Sequence, residues 1–182
     1  MVQIIVILAG TIILVGFSWH SLRTPHYHGV TRFFAWENIL ILIAIQLPHW
    51  FVKPFSWYQL ISWSLLCVSL TLALVGFILL NKIGGSKSRT DENTNFPFEN
   101  TANLVTQSIF KYIRHPLYSS LLCLVWGVFF KLPSLLGGSI AMVATAFLFA
   151  TAKIEEQENI KTFGRKYVEY MKTTKMFIPF LI

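Results

Sequence analysis

Charge is what this chain has least of. Only 13% of its 182 residues are Asp, Glu, Lys or Arg, whereas 54% are hydrophobic. A soluble domain carries about 25% charged residues. With a mean hydropathy of +0.59, the deficit excludes an ordinary soluble globular domain and points to an integral membrane protein. Cysteine is nearly absent too. Cys67 and Cys123 sit inside apolar runs and form no Cys-x-x-Cys pair, which excludes a disulfide framework and leaves both as small buried hydrophobes. A Ser-His-Asp arrangement, a phosphate-cradling glycine loop and a His-x-x-Glu-His type pattern are missing, so hydrolysis and phosphoryl transfer have no support. No internal repeat is present. A transporter usually shows one, together with helices broken near the midplane. The formal charge of +7 does not indicate nucleic acid, because the basic residues flank apolar runs and form no stripe on a polar surface.

What is present is a series of apolar runs: Val2 to about Trp19, about Phe33 to Phe51, Trp57 to Leu80, Pro116 to Phe130, and Leu135 to Ala152. The last two are shorter than the roughly 20 residues of a usual span and are joined by a tight turn over Lys131–Ser134. They form either a short hairpin of spans or a re-entrant pair; spans are expected. The first run lacks a basic flank and a cleavage site, so no removable signal peptide is expected. Five crossings sort thirteen of the 15 Lys and Arg onto one face and leave Lys53 and Lys131 on the other. That asymmetry places the basic face in the cytoplasm and the N-terminus outside. The length suits one membrane-embedded domain over residues 1–182. The polar loop after Asn81 reads as flexible, a lid or a disordered stretch. From Asn103, Leu104, Val105, Ile109, Phe110 and Ile113 recur at helical spacing. After Glu155, Ile160, Phe163, Tyr167, Tyr170 and Met171 predict an amphipathic helix on the cytoplasmic face, interrupted at Gly164. The apolar tail from Met176 is long enough to dip into lipid or pack on the bundle.

Two polar clusters stand at neighbouring ends of these runs. Arg114-His115-Pro116 opens the fourth. Pro116 suits a first helical turn, where its missing N–H costs nothing. As an anchor, Arg114 would snorkel and His115 would cap; as a site, a helix N-terminus attracts an anionic ligand. Glu155-Glu156 follows the fifth run. The pair reads either as a solvated helix start bound to Lys153 or Arg165, or as carboxylates at an embedded pocket. There they could accept from hydroxyls or an amine, or face a sulfonium or ammonium group beside Tyr118 or Phe110. Ionisable groups at such positions are costly unless they pair, reach water or hold a ligand. His20, His26 and His28 lack carboxylate or cysteine support, and no metal site is expected there. Glu37 is expected to face the bundle, hydrogen-bonded or paired with Arg32, and His49 with Trp50 to anchor the outer interface.

The ordered combination of Asn103 to Tyr118 (Asn-Leu-Val-Thr-Gln-Ser-Ile-Phe-Lys-Tyr-Ile-Arg-His-Pro-Leu-Tyr), Glu155-Glu156, Phe163-Gly164, Tyr167, Tyr170 and Ile178-Pro179 resembles the isoprenylcysteine carboxyl methyltransferase family. That family is related to membrane phospholipid methyltransferases. The resemblance covers a little under half the chain. It implies an all-α membrane enzyme that uses S-adenosylmethionine (SAM), held in a cytoplasm-facing pocket, and a lipophilic or small-molecule methyl acceptor arriving from the bilayer. By position it implies that Leu104, Val105, Thr106, Phe110, His115, Pro116, Leu117, Tyr118 and Glu155 bind the cofactor. His115 and Glu156 would assist catalysis. Phe110 stands where the family often has Tyr. Thr151 stands where the prenylcysteine enzymes place an Arg for the substrate carboxylate, which argues against that acceptor. The competing readings are an NADPH-dependent membrane reductase of the sterol reductase type and a non-enzymatic membrane accessory protein.

Overall fold

The computed structural model describes residues 1–23, 27–85 and 101–181. Its helices are α1 (Val2–Leu22), α2 (Gly29–Gln46), α3 (Trp57–Leu79), α4 (Pro116–Phe129), α5 (Leu135–Phe163) and α6 (Arg165–Thr173). Among the described residues the named secondary-structure elements are helices, and Ile113 and Lys175 form an isolated parallel bridge. Four stretches are long and apolar enough to cross a membrane: Val2–Leu22, Gly29–His49, Trp57–Gly84 and Leu135–Phe163. The outer surface suits lipid. On α1, Ile5, Leu8, Ile12 and Phe17 are exposed while Ser18 and Ser21 are buried, the reverse of a soluble helix.

The polar side chains of the spans set the register. Gln3 Nε2 donates to Ile45 O at 3.2 Å and Thr11 Oγ1 to Glu37, so α1 runs antiparallel to α2. Glu37 is therefore hydrogen-bonded within the bundle, as expected. Ser62 Oγ donates to Gly127 O and Ser69 Oγ to Ser120 O, both at 2.7 Å, which runs α3 antiparallel to α4. His28 meets Glu158 and Thr31 meets Thr151, which runs α2 antiparallel to α5. Small residues permit the close approach: Ala35 on α2 and Ala141, Ala144 and Ala152 on α5 are fully buried in the core with Leu42, Leu148 and Val125.

The end of the bundle where α4 meets α5 is closed by Lys131. Its Nζ lies 3.3 Å from the Trp63 ring centroid and 5.0 Å from that of Trp50, and 3.3 Å from Gln59 Oε1. The indole faces and the amide oxygen offset the cost of burying the ammonium.

Several boundaries differ from expectation. α2 begins at Gly29, earlier than Phe33, and gives way to a 3-10 turn at Leu47–His49, where Pro48 has no N–H to continue the ladder. α5 does not stop at Ala152 but runs through Glu155 and Glu156 to Phe163. Lys, Glu and Gln are good helix formers, so a change to polar composition does not end a helix. What ends it is Gly164 at φ 58, a left-handed conformation that favours glycine. Residues 103–107 are not helical, and the expected helix shrinks to a 3-10 turn at Ser108–Lys111. There the chain bonds to other segments instead, as with Asn103 N to Gly84 O at 2.9 Å. Cys67 is exposed on α3 and Cys123 half-buried. The loop expected to be a lid lies mostly at 86–100, outside the described residues.

Candidate functional site

The wall of the site is a short two-segment seam. Residues 112–115 lie beside 174–177, with Lys175 N donating to Tyr112 O at 3.0 Å, Arg114 N to Lys175 O at 2.8 Å and His115 N to Met176 O at 3.1 Å. Ser119 Oγ, one turn into α4, shares its one O–H between Phe177 O at 2.8 Å and His115 O at 3.0 Å. The tail therefore packs on the bundle at Met176 and Phe177, while Ile178, Phe180 and Leu181 are exposed. Arg114 locks the seam from inside. Its Nε donates to Glu156 Oε1 at 2.8 Å, and its Nη1 to the carbonyls of Met171 and Thr174. Tyr170 adds a hydroxyl bond to Phe110 O at 2.6 Å.

Against this wall lies one cavity of about 840 Å³ of empty space, counted to its open mouth, and Leu104, Val105, Phe110, His115, Pro116, Leu117, Tyr118 and Glu155 all line it. Eight of the nine residues expected to hold a cofactor are thus brought together. The ninth, Thr106, is exposed and lies outside the lining. Glu156 also lies outside it; at 1% exposure it sits behind the wall as the partner of Arg114, with Lys153 Nζ at 3.2 Å from its other oxygen.

The two polar clusters converge on His115. Its Nδ1 is 4.0 Å from Glu155 Oε1 and its Nε2 is 3.8 Å from Glu156 Oε1, distances of ion pairs and not of hydrogen bonds. The imidazole is 5% exposed, stacks on Tyr118 with centroids 5.4 Å apart, and keeps its Nε2 buried with no hydrogen-bond partner. Such an orphaned nitrogen is costly in a finished interior. The carboxylate nearest to it is Glu156 Oε1, behind the wall.

Other lining residues escaped the sequence reading. Arg32 and Trp36 come from α2, and Asn159, Tyr167 and Tyr170 from the far end of α5 and from α6. Glu155, Asn159 and Phe163 follow one another at intervals of four, so one helix face carries all three; that spacing could have revealed Asn159. Nothing in the sequence brings α2 to the same place. Burial raises the Tyr167 hydroxyl far above its usual range, with the Glu155 and Glu156 charges adding to the effect, and burial alone raises that of Tyr170. Neither phenol ionises readily, so neither is suited to act as a base. Of the loop histidines, His26 lies outside the described residues, His20 is exposed, and His28 is buried against Glu158. Thr151 is fully buried, bonded to Phe147 O and Thr31.

A second, apolar cleft opens on the opposite face of α4. Leu65, Val68, Cys123, Trp126, Phe149 and Phe177 are among its lining. Phe177, in its lining, has its ring 6.1 Å from that of His115, which lines the first cavity.

Residues 65–166 match the family model described as phospholipid methyltransferase. The chain belongs to that family. The match runs from α3 into α6 and takes in both His115 and Glu155. This phospholipid methyltransferase family member is also similar to curated proteins. It is 30% identical over 78 residues to a methanethiol S-methyltransferase of Pseudomonas deceptionensis, covering 42% of this chain and 28% of that protein. It is 25% identical over 177 residues to methanethiol S-methyltransferase 2 of Bradyrhizobium diazoefficiens, covering 96% and 58%. A methanethiol S-methyltransferase of Crocosphaera subtropica is 25% identical over 128 residues, covering 68% and 48%. The chain spans less than two thirds of the length of each. No solved structure matches it.

Proposed function

We propose that this family member is an integral membrane methyltransferase that takes its methyl group from SAM and passes it to a lipophilic or small-molecule acceptor. The observation that carries this reading is the convergence of the buried His115 imidazole and the Glu155 carboxylate, 4.0 Å apart at Nδ1, on one cavity. The cavity fits the cofactor chemically. Phe110 and Tyr118 supply aromatic faces, Leu104 and Val105 an apolar floor with backbone groups, and Glu155 a carboxylate for hydroxyls or an ammonium. When bound, SAM supplies a methyl group on a positive sulfur, ready for in-line displacement. The protein's part is to orient the reactants, an effect worth about 7–11 kcal/mol at best, and to exclude water. A thiol or amine acceptor must lose a proton. His115, which lines the cavity, is the residue to accept it, and Glu156, at 3.8 Å from Nε2, stabilises the imidazolium that forms. Thr106, exposed and outside the lining, has no part in this reading.

The acceptor reading rests on two supports. The curated relatives are named for a small thiol. The apolar cleft behind Phe177 offers room for a hydrocarbon chain. The antiparallel register supports five crossings, with α4 as a short fifth. The site and α6 then lie at the cytoplasmic face and the N-terminus outside, consistent with the basic loops.

The test is binding and turnover by the full chain in detergent. SAM and S-adenosylhomocysteine should bind and NADPH should not, measured by calorimetry. Methyl transfer from radiolabelled SAM to thiols, phospholipids or prenylcysteines should be lost in His115→Ala and Glu155→Ala. NADPH binding without SAM binding would refute the proposal.

A further inference from the structure

Among the described residues that line the cavity, Asn159 is the only carboxamide. It lies on α5 one turn beyond Glu155, about 6 Å along the axis, and one turn before Phe163, on the same helix face. Phe163 and Tyr167, both in the lining, stack with centroids 6.4 Å apart and planes 22° from parallel. An amide thus stands beside aromatic rings, one turn away from the carboxylate.

The amide is also oriented. Its side chain donates a hydrogen bond to the Tyr167 hydroxyl. The charges of Glu155 and Glu156 act on the same hydroxyl. They draw its hydrogen to their side, and its oxygen is left to accept from Asn159. One N–H of the amide is used in this way. Its Oδ1 and second N–H remain for a ligand. An acceptor beside a donor matches the edge of adenine, where the exocyclic amino group donates and a neighbouring ring nitrogen accepts. Aromatic walls suit the faces of the same base. A ribose needs only an acceptor for its hydroxyls, which Glu155 supplies. The base is the part of the ligand that needs both halves of an amide.

We propose that Asn159 reads the amino edge of the methyl donor's adenine, with Tyr167 as the positioning residue that holds the amide the right way round. This rests on the methyl-donor reading above. The probes are S-adenosylhomocysteine and S-inosylhomocysteine. In the second, a carbonyl replaces the amino group and the ring nitrogen beside it carries a proton, so donor and acceptor are exchanged. The wild-type full chain in detergent should prefer the first by about tenfold or more in calorimetry, the size of one well-placed amide contact to a base. Asn159→Leu, similar in size, should bring the two affinities to within about threefold, chiefly by weakening S-adenosylhomocysteine. Tyr167→Phe lets the amide turn over and should lower the preference by a smaller factor; an unchanged ratio there overturns the part given to Tyr167. If Asn159→Leu does not fold, Asn159→Ala decides by the same ratio. A residue that only braces α5 against α6 would weaken both ligands alike and leave the ratio intact. That result, or equal affinities in the wild type, overturns the assignment while leaving the donor site standing. Wild-type protein that binds neither probe overturns both.

Discussion

The seam that builds the site should be most sensitive at Arg114. Its side chain is 9% exposed and that of Glu156 is 1%. Arg114→Met removes the guanidinium and leaves a buried carboxylate with His115 Nε2 at 3.8 Å, beyond hydrogen-bond reach, and a Lys153 that is 64% exposed. Water screens that contact, so it contributes little. Removing one partner of a buried pair costs about 3–5 kcal/mol. The freed carbonyls of Met171 and Thr174 add less, because they can regain water. Replacing both partners by apolar groups removes the stranded charge. Arg114→Met with Glu156→Leu should therefore recover most of the loss, leaving the double variant within about 1 kcal/mol of wild type. Reversible unfolding in mixed micelles, followed by tryptophan fluorescence, measures the cycle. Amide exchange at His115 and Lys175, whose N–H groups bridge the seam, reports whether the tail has come loose. A single-variant loss under about 1 kcal/mol, or a double variant as unstable as the sum of the singles, would show that the ion pair does not hold the wall.

Two further predictions concern the packing around the cavity. A Cβ on Gly76 of α3 would stand 3.1 Å from Leu117 Cδ2 and 3.5 Å from Pro116 Cβ, so Gly76→Val should push the start of α4 inward, cost about 1–3 kcal/mol and weaken S-adenosylhomocysteine binding; thermal unfolding and calorimetry read both, and unchanged affinity would mean that α3 does not support the lining. Burial holds the phenols of Tyr167 and Tyr170 above their ordinary value of 10.0. The unfolded chain then releases these protons first, and stability present below about pH 10 is lost as pH rises above it. Tyr167→Phe and Tyr170→Phe should each flatten that alkaline decline in an unfolding titration, and a slope identical to wild type would refute the linkage.

The site was more legible than the helix ends. Pro116 marked the first turn of α4 because its fixed φ and missing N–H suit that position. Gly164 marked the break after α5. The unbroken run of α5 through Glu155 was not legible, because an apolar run marks burial in lipid and not the end of hydrogen bonding. The 103–107 segment misled in the opposite way. Its helical spacing was real, but Val105, Phe110 and Ile113 are buried without forming that helix, and the apolar pattern records burial alone. Glu156 was expected beside the ligand. Helical geometry instead turned it toward Arg114, since adjacent residues point about 100° apart.

By itself the sequence determined that the chain is a membrane helix bundle, because scarce charge and long apolar runs leave no other solvent for it. It also determined that His115 and Glu155 stand at neighbouring helix ends, because the turn at Lys131–Ser134 reverses the chain between them. Only the tertiary structure decided that α2 delivers Arg32 to the same cavity, that the tail forms its wall, and that His115 Nε2 is buried without a hydrogen bond. Those facts depend on which helix faces meet. That is settled by side-chain volumes and polar pairings across segments distant in the chain, as between Thr31 and Thr151, and no local pattern encodes them.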